Sequence, residues 1–258
     1  MSTNDDGAGT GEHGRVLRIA AVGDFHCGGA HEPTNLGESF ARIAEEADVL
    51  LLMGDMTTHG EPDQVERFLQ YAEGVSIPML AVLGNHDLET NQADRVREML
   101  ADAGIRVLDG DSVEIEGVGF AGTKGFGGGF GRHALGTFGE PETKAFVDAA
   151  LQEVLKLERA LAELQTETKV VLLHYSPIEE TMGDEAPQIW PFLGSSRLAG
   201  PIDTFGAAVA FHGHAHSGAP EGRTPGGVPV FNVALPVLQK QGMKWRTWTT
   251  PVADRRSP

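Results

Sequence analysis

The chain has little of several residue types, and each shortage excludes a class of protein. Cys27 is the only cysteine, so no internal disulfide bond can form. No apolar run is long enough to cross a membrane. Positive charge is scarce, because 20 lysines and arginines stand against 37 acidic residues and give a formal net charge of −17. Such a surface repels nucleic-acid backbones and anionic membranes, which disfavours a nucleic-acid polymer or a membrane as partner.

The remaining composition is typical of a globular protein. The chain has 258 residues, of which 40% are hydrophobic, and this is enough for one large α/β domain. Residues 1–14 are polar and contain no segment typical of a signal peptide, so we expect a disordered N-terminal tail and a cytoplasmic protein. No linker or internal repeat interrupts residues 15–248, which predicts a single domain followed by a C-terminal tail over residues 249–258.

The first hundred residues alternate short apolar runs with amphipathic segments. The apolar runs Val16–Val22, Val49–Met53 and Met79–Leu83 predict strands that are buried on both faces. Helical spacing of apolar residues follows each run, and the predicted helices are Leu36–Ala47, Pro62–Glu73 and Asn91–Ala103. This alternation predicts a parallel sheet with helical crossovers.

The second half of the chain is less regular. A long amphipathic helix begins at Pro141, and Trp245 and Trp248 lie in a tail that fits an edge strand. Three short strands that we interpret as a meander are predicted at Arg106–Leu108, Ser112–Ile115 and Val118–Ala121. Further strands are predicted at Lys169–Leu173, Ala207–Phe211 and Val228–Ala234. The glycine-rich segment Gly122–Gly139 and the aperiodic segment Ser176–Gly206 are where we expect substrate selection to occur.

Side chains that can bind metals follow most of the predicted core strands. Because α/β proteins build their sites at the carboxyl ends of strands, we expect these side chains to converge. They are Asp24, His26, Asp55, Asn85, His86, Asp87, His174, His214 and His216. Imidazole and carboxylate ligands together suit Zn, Mn or Fe, and the set is large enough for two ions. Residues two apart in an extended segment face the same way, which predicts that Asp24 joins His26 and that His214 joins His216.

The order D-x-H, G-D, G-N-H-D, H and G-H-x-H over residues 24–216 resembles that of the calcineurin-like metallophosphoesterase family. The resemblance implies an α/β protein with the four-layer α/β/β/α sandwich of the metallo-dependent phosphatase type. It also implies two divalent or trivalent transition-metal ions as cofactors. The ligands carried over by motif are Asp24, His26 and His216 for one ion, Asn85, His174 and His214 for the other, and Asp55 as the bridge.

The resemblance also implies a mechanism. Two ions lower the pKa of a water molecule between them, and the hydroxide that forms attacks the phosphorus atom of a small phosphorylated substrate. His86 would be catalytic, donating a proton to the leaving-group or phosphoryl oxygens. One role for Asp87 is to orient the His86 ring, and the alternative is a helix N-cap or a surface carboxylate. For Cys27 and His212 we favour structural roles, packing for the thiol and packing or support of the site for the imidazole.

Departures from sister families narrow the expected substrate. The segment GDMTTHG lacks the arginine of Ser/Thr protein phosphatases, and Thr58 replaces the tyrosine of purple acid phosphatases. The chain is most similar to compact bacterial enzymes with the GNHD motif, which implies a phosphodiesterase. Two alternatives are a phosphomonoesterase acting on a small metabolite and a non-catalytic metal-binding scaffold. Trp190 and Phe192 are predicted to pack into the core or into a homodimer interface, and the alternative is that they line a pocket for the leaving group.

Overall fold

The computed structural model describes residues 15–30 and 32–252, so the tail predicted over residues 1–14 lies outside the described residues. The strands are β1 (Val16–Val22), β2 (Val49–Met53), β3 (Met79–Val82), β4 (Ile105–Val107), β5 (Asp111–Ile115), β6 (Val118–Gly122), β7 (Thr168–Leu172), β8 (Val209–His212), β9 (Glu221–Arg223), β10 (Pro229–Asn232) and β11 (Arg246–Pro251). The helices are α1 (Leu36–Glu46), α2 (Pro62–Ala72), α3 (Ala93–Asp102), α4 (Pro141–Glu163), α5 (Trp190–Leu193), α6 (Ala199–Thr204) and α7 (Leu235–Lys240). None of these helices is long and apolar enough to cross a membrane.

The first sheet has five strands in the order β11-β1-β2-β3-β4. Strands β1 to β4 pair in parallel, as the alternation of strands and helices predicts. Strand β11 lies antiparallel to β1 at the edge and includes Trp248, so the predicted edge strand is confirmed. Val16 pairs with Pro251, and the strand therefore continues past residue 248, where we expected the domain to end.

The predicted meander is wrong, because its three strands belong to two sheets. Strand β4 pairs in parallel with β3, and its Ile105 is fully buried in the core of the first sheet. Strands β5 and β6 form an antiparallel hairpin in the second sheet, which has the order β5-β6-β7-β8-β10-β9. The hairpin turns at Glu116 and Gly117, with φ of 52° and 80°, the left-handed pair that a two-residue turn requires.

Successive side chains of β7 pack in two different cores, and this shows how the layers are stacked. Val170 and Leu172 pack in the core that includes the first sheet and helices α1 to α3. Val171 lies between them in sequence and packs in a separate core with Leu157 and Leu161 of α4. Successive side chains of a strand point to opposite faces, so the second sheet has the first sheet on one side and helices on the other. The expected order of helix, sheet, sheet and helix is therefore confirmed.

The two sheets meet at the carboxyl ends of their central strands. The amide of Gly23, just after β1, donates to the carbonyl of Val233, just after β10, at 3.0 Å. The ring of His174, which follows β7, lies 2.7 Å from the carbonyl oxygen of Met53 at the end of β2. The loops that carry the predicted ligands are therefore brought to one place by pairing between the sheets.

Leu172→Ala tests the packing between the sheets. The substitution removes a fully buried side chain and leaves a cavity, so we expect the free energy of unfolding to fall by about 2–5 kcal/mol. Leu155→Ala on α4 is the matched control, because that side chain is 55% exposed and its loss should change stability by less than about 0.5 kcal/mol. Urea unfolding of the two variants measures both values. Equal effects would contradict the layered packing.

Candidate metal centre

Loops after five strands bring the predicted ligands together. The side chains form three groups that share members. Within each group, every residue has one possible ligand atom within 4.8 Å of those of the others. The groups are Asp24 with His26 and His216, His26 with Asp55 and His86, and Asp55 with His174 and His214. Asn85 joins the last group, because its Oδ1 atom lies 3.0 Å from Nε2 of His174. The cluster is therefore large enough to hold two metal ions side by side.

The carboxylate of Asp55 occupies the middle of the cluster. Its Oδ1 atom accepts a hydrogen bond from the amide of His86 at 2.9 Å. Its Oδ2 atom is buried and has no hydrogen-bond partner among the described residues, while Nε2 of His174 lies 3.4 Å away. Burial raises the pKa of this carboxyl, but the positive charge of the neighbouring His174 outweighs burial and holds the pKa below its usual range. An ionised, unpartnered and buried oxygen is costly unless a cation binds it, so the donor set fits a metal.

Asp24 anchors the second part of the cluster. Its Oδ1 atom lies 2.9 Å from Nε2 of His216, and the amide of His214 donates to the same carboxylate at 3.0 Å. Nε2 of His26 lies 3.4 Å from Nε2 of His216. Two imidazole nitrogens and a buried carboxylate thus face one point, which is the arrangement that a metal ion needs.

Hydrogen bonds to backbone carbonyls fix which nitrogen of two histidines faces the cluster. Nδ1 of His174 donates to the carbonyl of Met53 at 2.7 Å, so Nε2 faces Asp55. Nε2 of His214 donates to the carbonyl of Phe192 at 3.1 Å, which leaves the lone pair of Nδ1 free. Burial lowers the pKa of His214 to about 4. Burial also lowers the pKa of His174, but the charge of Asp55 has a larger opposite effect and the pKa is raised to about 9. A bound cation would replace the proton that His174 then carries.

The backbone of the ligand loops is strained. Asp24, His26, Asp55 and His214 have φ of 62°, 49°, 50° and 68°, in the left-handed region that residues with side chains rarely adopt. The expectation that Asp24 joins His26 and His214 joins His216 through alternation in extended segments is therefore wrong in its reason, and His214 and His216 belong to different groups. The loops instead converge because they pair with each other, as when the amide of His26 donates to the carbonyl of Asp55 at 3.0 Å. Strain of this kind persists where the surrounding structure imposes it.

Two glycines of the motifs leave room for the carboxylates. A Cβ atom at Gly84 would collide with Oδ1 of Asp55, and a Cβ atom at Gly213 would collide with Oδ2 of Asp24. Any other residue at either position would displace a carboxylate from the cluster. Glycine is therefore required sterically at the first position of the G-N-H-D and G-H-x-H motifs.

The side chains of His86 and Asp87 have different hydrogen-bond partners. Nδ1 of His86 donates to the carbonyl of Thr58 at 2.7 Å, which orients the ring. Asp87 is fully buried, and its carboxylate accepts hydrogen bonds from the amide and hydroxyl of Thr57 and from the amide of Gly84, at 2.8–2.9 Å. The expectation that Asp87 orients His86 is corrected. Asp87 instead ties the loop after β2 to the loop after β3, neither as an N-cap nor as a surface carboxylate.

Other residues near the cluster have structural contacts. His212 is fully buried, with Nδ1 donating to the carbonyl of Gly213 and Nε2 accepting from the Thr181 hydroxyl. Burial raises the pKa of the Cys27 thiol to about 12, which agrees with a packing role. The Thr58 and Phe192 contacts could not be found from the sequence, because they are made by backbone carbonyls that every residue carries.

Comparisons with known proteins agree with this geometry. Residues 17–218 match the sequence family described as calcineurin-like phosphoesterase. None of the curated proteins searched matches the chain. Among solved structures, phosphopantetheinyl hydrolase from Mycobacterium tuberculosis is 14% identical with a TM-score of 0.65, and the alignment covers 95% of this chain and 99% of that one.

Two further structures share the fold. The protein TT1561 of Thermus thermophilus is 17% identical with a TM-score of 0.54, and the alignment covers 93% of this chain and all of that one. GAP50, the anchor in the inner membrane complex of Plasmodium, is 13% identical with a TM-score of 0.55, over 86% of this chain and 73% of that one. At these identities the likeness concerns the fold alone. Because the family match spans more than half of its length, the chain belongs to the calcineurin-like phosphoesterase family and is a metal-dependent phosphoesterase.

Proposed function

We propose that the protein is a dinuclear metal-dependent phosphodiesterase that hydrolyses a small substrate. The observation that carries the proposal is the Asp55 carboxylate, which is ionised, buried and unpartnered at Oδ2 between two groups of histidines. A carboxylate in that position is suited to bridge two cations. Mn, Fe and Zn are the ions that this mixture of imidazole and carboxylate ligands favours.

The proposed ligand sets follow two of the three groups of side chains, the one with Asp24 and the one with His174. Asp55 lies between them and belongs to both sites. One ion would be held by Asp24, His26 and His216, and the other by Asn85, His174 and His214. Two ions bound there would supply a nucleophile at neutral pH by lowering the pKa of water, and would stabilise negative charge on the phosphoryl oxygens. The chain itself contributes the fixed positions of these ligands.

His86 is the proposed proton donor. Its Nδ1 atom is bonded to the carbonyl of Thr58, so Nε2 is the atom that can carry a proton to the leaving oxygen. The ring packs edge to face on His26, with ring centroids 4.7 Å apart, which places it at the border of the proposed metal site. A general acid must lie within hydrogen-bond reach of the group that it protonates, and the position of His86 beside His26 supports this role.

The GNHD motif at residues 84–87 supports a diester over a monoester, because many of the compact bacterial enzymes that the chain resembles are phosphodiesterases. A phosphomonoesterase has the same chemistry and differs only in the pocket. A non-catalytic metal-binding scaffold would need the ligands but not His86, which is present beside them.

Hydrolysis of two model substrates tests the proposal. With Mn²⁺ we expect bis-p-nitrophenyl phosphate to be cleaved at least about tenfold faster than p-nitrophenyl phosphate in kcat/KM, a difference of about 1.4 kcal/mol. Chelator should abolish both activities, because the attacking hydroxide would depend on the metal ions. Release of p-nitrophenolate measures the rates, and metal analysis of the same samples measures occupancy.

Each other outcome has a definite meaning. Faster cleavage of the monoester would replace the diesterase with a monoesterase. Activity that survives complete removal of metal would contradict the metal-dependent mechanism. Two bound ions without activity on any phosphoester would favour the scaffold.

His86→Ala should reduce turnover and leave metal binding intact. General acid catalysis contributes roughly 10²–10⁴-fold, and we expect a loss in kcat of that size with two ions still bound. Activity and metal content measured on one preparation check the prediction. Loss of a metal ion would instead make His86 a ligand, which its grouping with His26 and Asp55 also permits.

Asp87→Ala should reduce stability because it leaves the buried amides of Thr57 and Gly84 without an acceptor. Each unsatisfied group costs roughly 1–3 kcal/mol, so we expect the free energy of unfolding to fall by about 2 kcal/mol or more. Asp87→Asn is the matched control, since it keeps one acceptor oxygen and should lose less. Urea unfolding of metal-free protein measures the difference. A fall in kcat for Asp87→Asn without a change in stability would return Asp87 to a catalytic role.

A further inference from the structure

A cavity of about 430 Å³ opens beside one of the proposed metal sites. Asp24, His26 and His216 line one end of it. The remaining wall is mostly apolar, and its side chains include Phe25, Ala30, Pro33, Leu235 and Pro236. His26 and His216 are partly exposed, so a ligand bound at this metal site would also face the cavity.

A second cavity of about 370 Å³ continues away from the metal site. Both cavities are lined by Phe25, Pro33, Leu235 and Gln239, so they adjoin along these residues and we treat them as one groove. We call it the side groove, and it lies between the start of α1 and helix α7. Among the described residues, those that line its metal end besides the proposed ligands are apolar, apart from Gly29, Thr58 and Gln239.

The far end of the side groove is more polar. Asn35, Gln239 and Lys244 line it with amide and ammonium groups that can donate or accept hydrogen bonds. Glu32 also lines it, but its carboxylate is paired with Arg67 and accepts from the hydroxyl of Tyr71. The groove therefore changes from apolar beside the metal site to hydrogen-bonding at its far end.

We propose that the side groove binds one esterified organic group of the substrate. This inference rests on the proposed phosphoesterase site, because the groove selects substrate only if phosphate binds at the ligands. The matching organic group is apolar where it joins the phosphate and carries hydrogen-bonding groups further along. The volume of each half lies in the range of small-molecule sites, which supports a ligand rather than a surface irregularity.

The side groove would place substrate selection in a part of the chain where the sequence did not predict it. From the sequence we expected it in Gly122–Gly139 and Ser176–Gly206. None of the side-groove residues belongs to either segment. Specificity then depends on α7, which the sequence analysis did not predict, and on the residues before α1.

Inhibition by n-alkylphosphonates of increasing length tests the side groove. Their carbon–phosphorus bond is not an ester, so they report binding without turnover. Each methylene that enters an apolar wall should tighten binding by up to roughly fourfold. We expect the Kd for the Mn²⁺-loaded protein, measured by calorimetry, to fall steadily from methylphosphonate to hexylphosphonate. Calorimetry does not require activity, so the test is separate from that of the proposed function.

Three variants locate the binding. Ala30→Trp fills the metal end and should abolish the dependence of Kd on chain length while leaving methylphosphonate affinity within about threefold of wild type. Gln239→Trp, at the junction of the two cavities, should preserve the gain for short chains and remove it for longer ones. Ala101→Trp is the matched control, since Ala101 is exposed on α3 and outside the groove, and it should behave as wild type.

The outcomes separate the two proposals. A flat series with the wild-type protein, or an Ala30→Trp series parallel to wild type, would overturn the side groove even if phosphoesterase activity is present. A chain-length dependence that Ala30→Trp removes would support the groove even if the model diester is a poor substrate. Binding of no phosphonate by metal-loaded protein would overturn both proposals. Circular dichroism and metal content confirm that each variant is folded and loaded.

Discussion

Two buried carboxylates, Asp24 and Asp55, set the electrostatic constraint on which the site depends. Burial opposes the charged form of each, yet both have a pKa below the usual range because histidines surround them. The carboxylates in turn hold the pKa of His174 at about 9 in the metal-free protein. Protonated histidines are thus the counterions that the chain supplies by itself. Metal ions are stronger counterions for the same carboxylates, so binding of metal and loss of protons are coupled.

Maintaining this arrangement requires a rigid frame. Four of the proposed ligands have left-handed backbone conformations, and each such residue costs roughly 1–3 kcal/mol. Pairing between loops imposes these conformations, as when the amide of Asp24 donates to the carbonyl of Gly54 at 2.9 Å. The loops are held in turn by the ends of buried strands, which pack between two layers of helices. Stability of the core between the sheets therefore determines the geometry of the ligands.

Features that depend on residues close together in the sequence could be predicted. Features that depend on contacts between distant segments could not. Apolar runs ending in Gly-Asp, Gly-Asn-His-Asp or Gly-His indicated both the strands and the ligand-bearing loops, because these signals are local. The assignment of β4 to the first sheet and β5 to the second depends on packing between distant elements, and no local pattern encodes it. The role of Asp87 was predicted wrongly for the same reason, since its partner Thr57 lies in a different loop. The side groove has no motif because its walls are ordinary apolar residues from two separate helices and a loop.

The glycine-rich segment shows how a region that suggests substrate contact can serve the frame instead. The carbonyl of Lys124 accepts from the amide of His174 at 3.0 Å, so the start of this segment supports a ligand loop. Glu153 of α4 is buried, accepts from the amide of Gly125 at 2.9 Å and is paired with Lys156. Gly129 pairs with Ser195, which connects the segment to the one that carries Phe192. A segment fixed at three points is poorly suited to adapt to different substrates. This anchoring supports the proposal that substrates are distinguished in the side groove, on the face formed by α1 and α7.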